Sequence, residues 1–165
     1  MRNIFKWLSG KESKGDNIEG WNNLQWGMTE EAILKAFEGQ AEQLLESLQF
    51  ARSYANLRIR DMDIGGNQHE VLFQMDVETN RLGQILLRPK EKPSQNTFKE
   101  LEKTLIQRYG TPNHTVNEEE GAYQHYERTW HFPTTTIVLN FLDFGLPTDS
   151  IETTKIMTLQ YRPNK

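Results

Sequence analysis

Two histidines and a glutamate lie at even spacing near residue 128, in a pattern that could bind a metal ion. His125, Glu127 and His131 share one face if this segment is a strand, because strand side chains alternate between faces. Metal sites usually need three or four converging ligands, and a solvated polar sheet face explains the same pattern. We therefore predict no metal site and retain His125 and Glu127 as candidates for an interaction surface.

A pair of aspartates lies at the end of a predicted strand. Asp61 and Asp63 flank Met62 and precede Gly65 and Gly66. Two carboxylates on one face can serve acid–base chemistry or bind a cation. The alternative is that they are edge charges and turn-forming residues.

Three consecutive glutamates form the most acidic run of the chain. Glu118, Glu119 and Glu120 lie in the segment 117–121, which we interpret as a solvated loop or hairpin tip. The first interpretation is a solubilising loop, and the alternative is a docking patch for a basic partner protein.

Arginines alternate with an aromatic residue between residues 52 and 60, a pattern that can bind single-stranded nucleic acid. Arg58 and Arg60 share a strand face near Tyr54, but no RNP-like motif accompanies them. The net charge of −4 and the pI near 5.6 also argue against nucleic-acid binding, which usually needs a basic face. An outward-facing strand surface is the favoured interpretation.

The usual catalytic motifs are absent. Gly65-Gly66 has no following Gly-Lys-Ser/Thr, and the chain has no Gly-x-Ser-x-Gly elbow, no His-Glu-x-x-His helix and no cysteine. We therefore predict no catalytic residue and no cofactor. An enzyme or small-ligand binder would have to use residues scattered along the chain, in a cleft between two halves, with four first suspects: Asp61, Asp63, His125 and Glu127.

Composition and the N-terminus limit the cellular setting. The absence of cysteine fits a cytoplasmic protein, and no apolar run reaches the roughly 18 residues needed to cross a bilayer. Ile4, Phe5 and Leu8 could share one face of a short helix, which allows weak membrane contact through residues 1–8. Residues 1–20 otherwise read as a flexible segment, because 9–20 are rich in Gly, Ser and charged residues.

The first predicted helix and strands occupy residues 21–92. Thr29 is the expected N-cap of a helix that ends near Gly39, and residues 41–50 fit a second short helix. Apolar residues then alternate with polar ones over 55–60, 71–77 and 82–87, which predicts three strands. Gly65-Gly66-Asn67 predicts a hairpin between the first two.

The same order recurs in residues 93–165. A helix with an apolar stripe from Phe98 to Tyr109 begins at Thr97 or Ser94 and ends at Gly110. Strands follow near 125–132, 136–141 and 155–161. The sequence therefore predicts an α+β protein with two similar halves, each a helix packed on an antiparallel sheet of three or more strands. Whether the strands form one sheet or two is left open.

Two short motifs resemble those of known modules. Trp26-Gly27-Met28-Thr29 opens the first helix, and Tyr109-Gly110-Thr111-Pro112 ends the second. With the order of elements, these motifs resemble the tandem helix-plus-sheet modules of the β-lactamase inhibitor proteins and the bacterial outer-membrane assembly lipoproteins. The resemblance implies a protein-binding scaffold, although this chain lacks the cysteine pairs and export signal of those families.

We therefore expect a non-catalytic, bacterial, cytoplasmic module that binds another protein. An immunity or inhibitor protein that neutralises a toxin is one alternative, because the chain is small and acidic. The enzyme or small-ligand binder described above is the other. The candidate interaction residues are Glu118, Glu119, Glu120, His125, Glu127, Asp61 and Asp63.

Overall fold

The computed structural model describes residues 5–6, 20–22, 24–145 and 154–165. Two helices lie in this part of the chain: α1 (Glu30–Ala36) and α2 (Gln95–Tyr109). The strands before α2 are β1 (Phe5–Lys6), β2 (Gly20–Trp21), β3 (Leu24–Gln25), β4 (Ala41–Gln49), β5 (Ser53–Ile64), β6 (Asn67–Asp76) and β7 (Leu82–Pro89). Those after it are β8 (His114–Glu120), β9 (Tyr123–His131), β10 (Thr135–Asp143) and β11 (Lys155–Pro163).

The long strands form one continuous sheet, so the choice between one sheet and two is settled. Its order is β1-β5-β6-β7-β11-β10-β9-β8, with β4 also paired to β5. The strands on either side of α2 meet where β7 pairs with β11, with Leu87 opposite Leu159 and Ile85 opposite Tyr161. All described pairs in this sheet are antiparallel except that of β1 with β5. The chain is an α+β protein, and the equivalence of its two halves stays a prediction.

Side-chain caps explain where both helices begin. The Thr29 hydroxyl accepts a hydrogen bond from the Ala32 amide at 3.3 Å, which confirms Thr29 as the N-cap of α1. Ser94, rather than Thr97, caps α2. The Ser94 hydroxyl accepts from the Thr97 amide at 3.1 Å, and the Thr97 hydroxyl accepts from the Ser94 amide at 2.7 Å. This reciprocal capping box places Thr97 three residues inside the helix.

Both helices pack on the same face of the sheet, which we call the helix face. Ile33 and Phe37 anchor the α1 end, while Phe98 and Tyr109 anchor the two ends of α2. Tyr109 also shares a hydrogen bond of 2.8 Å with the hydroxyl of Tyr161 on β11. Buried strand residues of this core include Leu57, Ile59, Val71, Phe73, Ile85, Leu87, Tyr126, Trp130, Ile137, Leu139, Phe141, Met157 and Leu159.

Residues 41–50 do not form the second short helix that the leucine spacing suggested. They form β4, which contains a large bulge: Gln43 pairs with Leu57 and Leu48 with Ala55, so residues 44–47 lie opposite Asn56 alone. Leu44 and Leu48 pack on one apolar cluster, because residues four apart in a strand lie on the same face, as they do in a helix. Their helix-like spacing therefore has a strand explanation, and the prediction was wrong.

The glutamate segment is also more ordered than predicted. Residues 114–120 form β8, paired with β9 over its whole length, and only Gly121 and Ala122 make the turn. Of the two interpretations of 117–121, the hairpin tip is confirmed and the loop was wrong, because cross-strand pairing with β9 outweighs the low β propensity of glutamate.

The N-terminal predictions fall mostly outside the described residues. Residues 1–4 and 7–19 lie outside them, so the membrane contact and the flexible linker are not tested there. Phe5 and Lys6 are extended and pair in parallel with Met62 and Asp63, which differs from the short helix predicted for residues 1–8. In the described ranges, no helix has the length and apolar character needed to span a bilayer.

Candidate functional site

The sheet order separates the suspects for an enzymatic site. Asp61 and Asp63 lie on β5, whereas His125 and Glu127 lie on β9, and four strands stand between β5 and β9. At roughly 4.8 Å per strand step, the two pairs are about 24 Å apart across the sheet. No single site can include all four side chains.

Both aspartates make local contacts near the β5–β6 hairpin. The Asp61 carboxylate pairs with the Lys90 ammonium group, and Asp63 Oδ1 accepts a 2.8 Å hydrogen bond from the Gly66 amide. Gly65 and Gly66 have φ values of 60° and 89°, so the two glycines form the tight turn that the sequence predicted. Asp61 therefore forms an ion pair and Asp63 stabilises the turn.

His125 lies in a polar cluster on the face of the sheet opposite the helices, which we call the open face. Its Nδ1 is 3.3 Å from Glu118 Oε2, and its Nε2 is 3.0 Å from Asn140 Oδ1 and 3.9 Å from Glu127 Oε2. His131 lies elsewhere on β9, 3.3 Å from the Thr136 hydroxyl. Within the described ranges, no three histidine or carboxylate side chains converge as metal ligands.

The arginines of β5 are held by glutamates on neighbouring strands. Arg58 contacts Glu42 at 2.8 Å and Glu70 at 3.1 Å, and Arg60 contacts Glu42 at 3.0 Å. The hydrogen bond from Arg58 lowers the pKa of the Glu42 carboxyl. The glutamates neutralise the arginine charge that would otherwise attract the phosphate backbone of a nucleic acid.

The three glutamates alternate between the faces of β8, which is the last strand of the sheet. Glu118 lies opposite His125 on the open face, and Glu120 lies opposite Tyr123 beside the turn. Glu119 is on the helix face, where its carboxylate accepts a hydrogen bond from the Tyr126 hydroxyl. All three residues are exposed.

A cleft opens between α2 and the strands β8 and β9 on the helix face, and sequence reasoning missed it. Its volume is about 250 Å³. The first two turns of α2 form one wall, and side chains of β8 and β9 that point to the helix face form the other. The lining residues are Gln95, Phe98, Lys99, Glu102, Asn117, Glu119, Tyr126 and Arg128.

Arg128 fixes one wall of this cleft. Its guanidinium group pairs with the Glu102 carboxylate of α2 and donates to the Val116 carbonyl at 3.0 Å and to Asn117 Oδ1 at 2.8 Å. It also lies 5.3 Å from the centre of the Phe98 ring. These contacts use most of the Arg128 donors, so Arg128 ties α2 to β8 instead of presenting a free cation.

Tyr126 forms the floor of the cleft beside Phe98. Its ring packs 5.6 Å from the Phe98 ring, and its hydroxyl donates to Glu119 and accepts from Gln95 Nε2 at 2.9 Å. The hydrogen bond to Glu119 raises the pKa of the Tyr126 phenol, so the hydroxyl stays protonated at neutral pH. The cleft therefore offers two aromatic rings and one partly engaged carboxylate, and Tyr126 is no base there.

The alternation of β9 contained the signal for this cleft. Tyr126, Arg128 and Trp130 alternate along β9 with His125, Glu127 and His131. The histidine face was considered in the sequence analysis, whereas Tyr126 and Arg128 on the other face line the cleft. A second cleft of about 80 Å³ lies between the β5–β6 hairpin, the segment 89–93 and Met157. None of the four enzymatic suspects lines it.

Comparison with known proteins gives little. No family model matches the chain, and no curated protein matches it by sequence. The crystal structure of a DUF4309 family protein (YjgB) from Bacillus subtilis subsp. subtilis str. 168 is similar over 92% of this chain and 89% of that chain, at 14% identity and a TM-score of 0.44. A likeness of that size carries no argument. It lends no support to the resemblance to β-lactamase inhibitor proteins or outer-membrane assembly lipoproteins.

Proposed function

We propose that this chain is a non-catalytic module that binds a basic region of another protein at the β8 end of its sheet. The observation that supports it best is the cleft between α2, β8 and β9. At 250 Å³ it falls below the roughly 300–1,000 Å³ typical of pockets for drug-sized ligands. It is better matched to one side chain of a protein partner.

The chemistry of the cleft favours a basic side chain. The rings of Phe98 and Tyr126 can pack against the aliphatic stem of a lysine or arginine, and the Glu119 carboxylate can pair with its charged end. Glu118 and Glu120, exposed on the same strand, add negative potential at the rim and steer a basic partner. Lys99 opposes this preference, because it lines the same cleft.

The enzymatic alternative has less support. Its four suspects lie on strands about 24 Å apart by the strand spacing of roughly 4.8 Å, and the aspartates already serve an ion pair and a turn. An inhibitor or immunity role would be one form of the protein binding proposed here, with a toxin as the basic partner. We also propose that the two halves are related modules, which the mirrored strand order β4-β5-β6-β7 and β11-β10-β9-β8 supports.

Affinity capture from the native cell lysate tests the function. The tagged protein is compared with a triple variant, Glu118→Gln, Glu119→Gln and Glu120→Gln, and with a charge-matched control, Glu38→Gln, Glu46→Gln and Glu78→Gln, whose three residues are exposed elsewhere. We expect one stoichiometric partner that the wild type and the control retain and the site variant loses. A partner retained equally by all three proteins, or no partner, would contradict the proposal.

A further inference from the structure

The outer edge of β8 is open in the described part of the chain. β8 pairs with β9 along one side, and no described strand pairs with its other side. Its seven residues span about 23 Å at roughly 3.3 Å per residue. All of them except Val116 are exposed. An exposed strand edge presents unpaired amide and carbonyl groups that can template another strand.

The charges of β8 select which strand can be added. Glu118, Glu119 and Glu120 would face the same glutamates if a second copy paired with this edge in a parallel register, or in an antiparallel register centred on Glu119, and such pairs destabilise a sheet. A segment with lysine or arginine at the facing positions would form attractive cross-strand pairs instead. The glutamates therefore oppose these two modes of self-association and favour a basic strand.

The cleft lies under the same edge. Asn117 and Glu119 are two residues apart on β8, so they share the helix face, and both line the cleft. A strand added beside β8 would direct every second side chain to that face. In strand-addition complexes, backbone hydrogen bonds supply affinity and pockets for alternate side chains supply specificity.

We propose that the partner docks on β8 as an additional strand, with basic side chains opposite the glutamates and one of them in the cleft. The inference rests on the proposed function and adds the mode of binding: an extended segment that forms backbone hydrogen bonds with β8. The geometry that supports it is the open edge together with the cleft beside its alternate residues.

A synthetic peptide tests this mode directly. The probe is the acetylated and amidated heptapeptide Thr-Val-Lys-Lys-Lys-Val-Thr, whose three consecutive lysines can face the three glutamates of β8, titrated at low salt into the full chain labelled with ¹⁵N. Two further versions carry backbone N-methyl groups at the odd or at the even positions, so that each blocks one edge of the peptide. An acidic version with glutamate in place of lysine is the charge control.

Strand addition uses only one edge of the peptide. We expect one methylated peptide to bind at least tenfold more weakly than the other, and amide hydrogen exchange at alternate residues of β8 to slow at least tenfold on saturation. Equal affinities of the two methylated peptides, or protection confined to other strands, would overturn the inference. If the glutamine variant still loses its cellular partner in that case, the proposed function stands and only the docking mode fails.

Discussion

Replacing Arg128 with methionine should destabilise the protein by about 3 kcal/mol, because this side chain joins α2 to β8 and β9. The Arg128 and Glu102 side chains are 12% and 22% exposed, so their ion pair is largely shielded from water. A hydrogen bond to a charged group contributes roughly 1.5–3 kcal/mol, and the stacking on Phe98 adds about 0.5–1 kcal/mol. Methionine keeps the aliphatic packing, and water entering the cleft offsets part of the loss.

Urea denaturation followed by circular dichroism measures this effect. The control is Arg88→Met: the Arg88 side chain is 45% exposed and pairs with Glu70 at 2.6 Å. A pair that exposed contributes about 0–1 kcal/mol. If Arg128→Met lowers the free energy of unfolding no more than the Arg88 control does, Arg128 does not hold α2 against β8.

A double-mutant cycle assigns the loss to the pair itself. Arg128→Met leaves Glu102 without its cation, so adding Glu102→Gln should recover part of the stability. We expect a coupling energy of about 1–2 kcal/mol between the two positions. Strict additivity of the two single changes would contradict a direct interaction.

Three further predictions follow from other positions. Gly65→Ala should lower the urea midpoint more than Gly66→Ala: both glycines have a positive φ, but an added Cβ at Gly65 would also lie 2.6 Å from the Thr104 hydroxyl of α2, whereas one at Gly66 meets no atom within 4 Å. Burial lowers the pKa of His69 in the folded protein below its ordinary value. When the pH falls through the ordinary value, the unfolded state therefore binds more protons than the folded state, and the free energy of unfolding should decline. His69→Gln should flatten that decline when midpoints at pH 8 and pH 5.5 are compared. Lys99→Gln should tighten binding of the lysine heptapeptide by roughly twofold in a titration, since one like charge at the cleft is removed.

The features predicted correctly from sequence are those fixed by local chemistry. Gly65 and Gly66 dictate a two-residue turn because both have positive φ, and Thr29 caps α1 through its own hydroxyl. The apolar stripe of α2, from Phe98 to Tyr109, is buried as its spacing indicates. Such features depend on neighbours a few residues away.

The features predicted wrongly depend on distant pairing. β4 was assigned as a helix because Leu44 and Leu48, four residues apart, would share a face in a helix or in a strand, and only the pairing with β5 decides between the two. The cleft was missed for the same reason, since Glu102 and Arg128 meet across 26 residues of sequence. Glu118–Glu120, His125 and Glu127 stay interaction candidates, and the sequence did not indicate that Glu119 lies on the face opposite Glu118 and His125.

Site-specific photo-crosslinking in the native cells tests the central claim most directly. A benzoylphenylalanine is placed at Thr115 on β8 or, as the control, at Leu45 on β4, both exposed and on strands at opposite ends of the sheet. The account predicts one dominant protein adduct from position 115 and none from position 45. Adducts from position 45 alone, or none from position 115, would contradict binding at the β8 end.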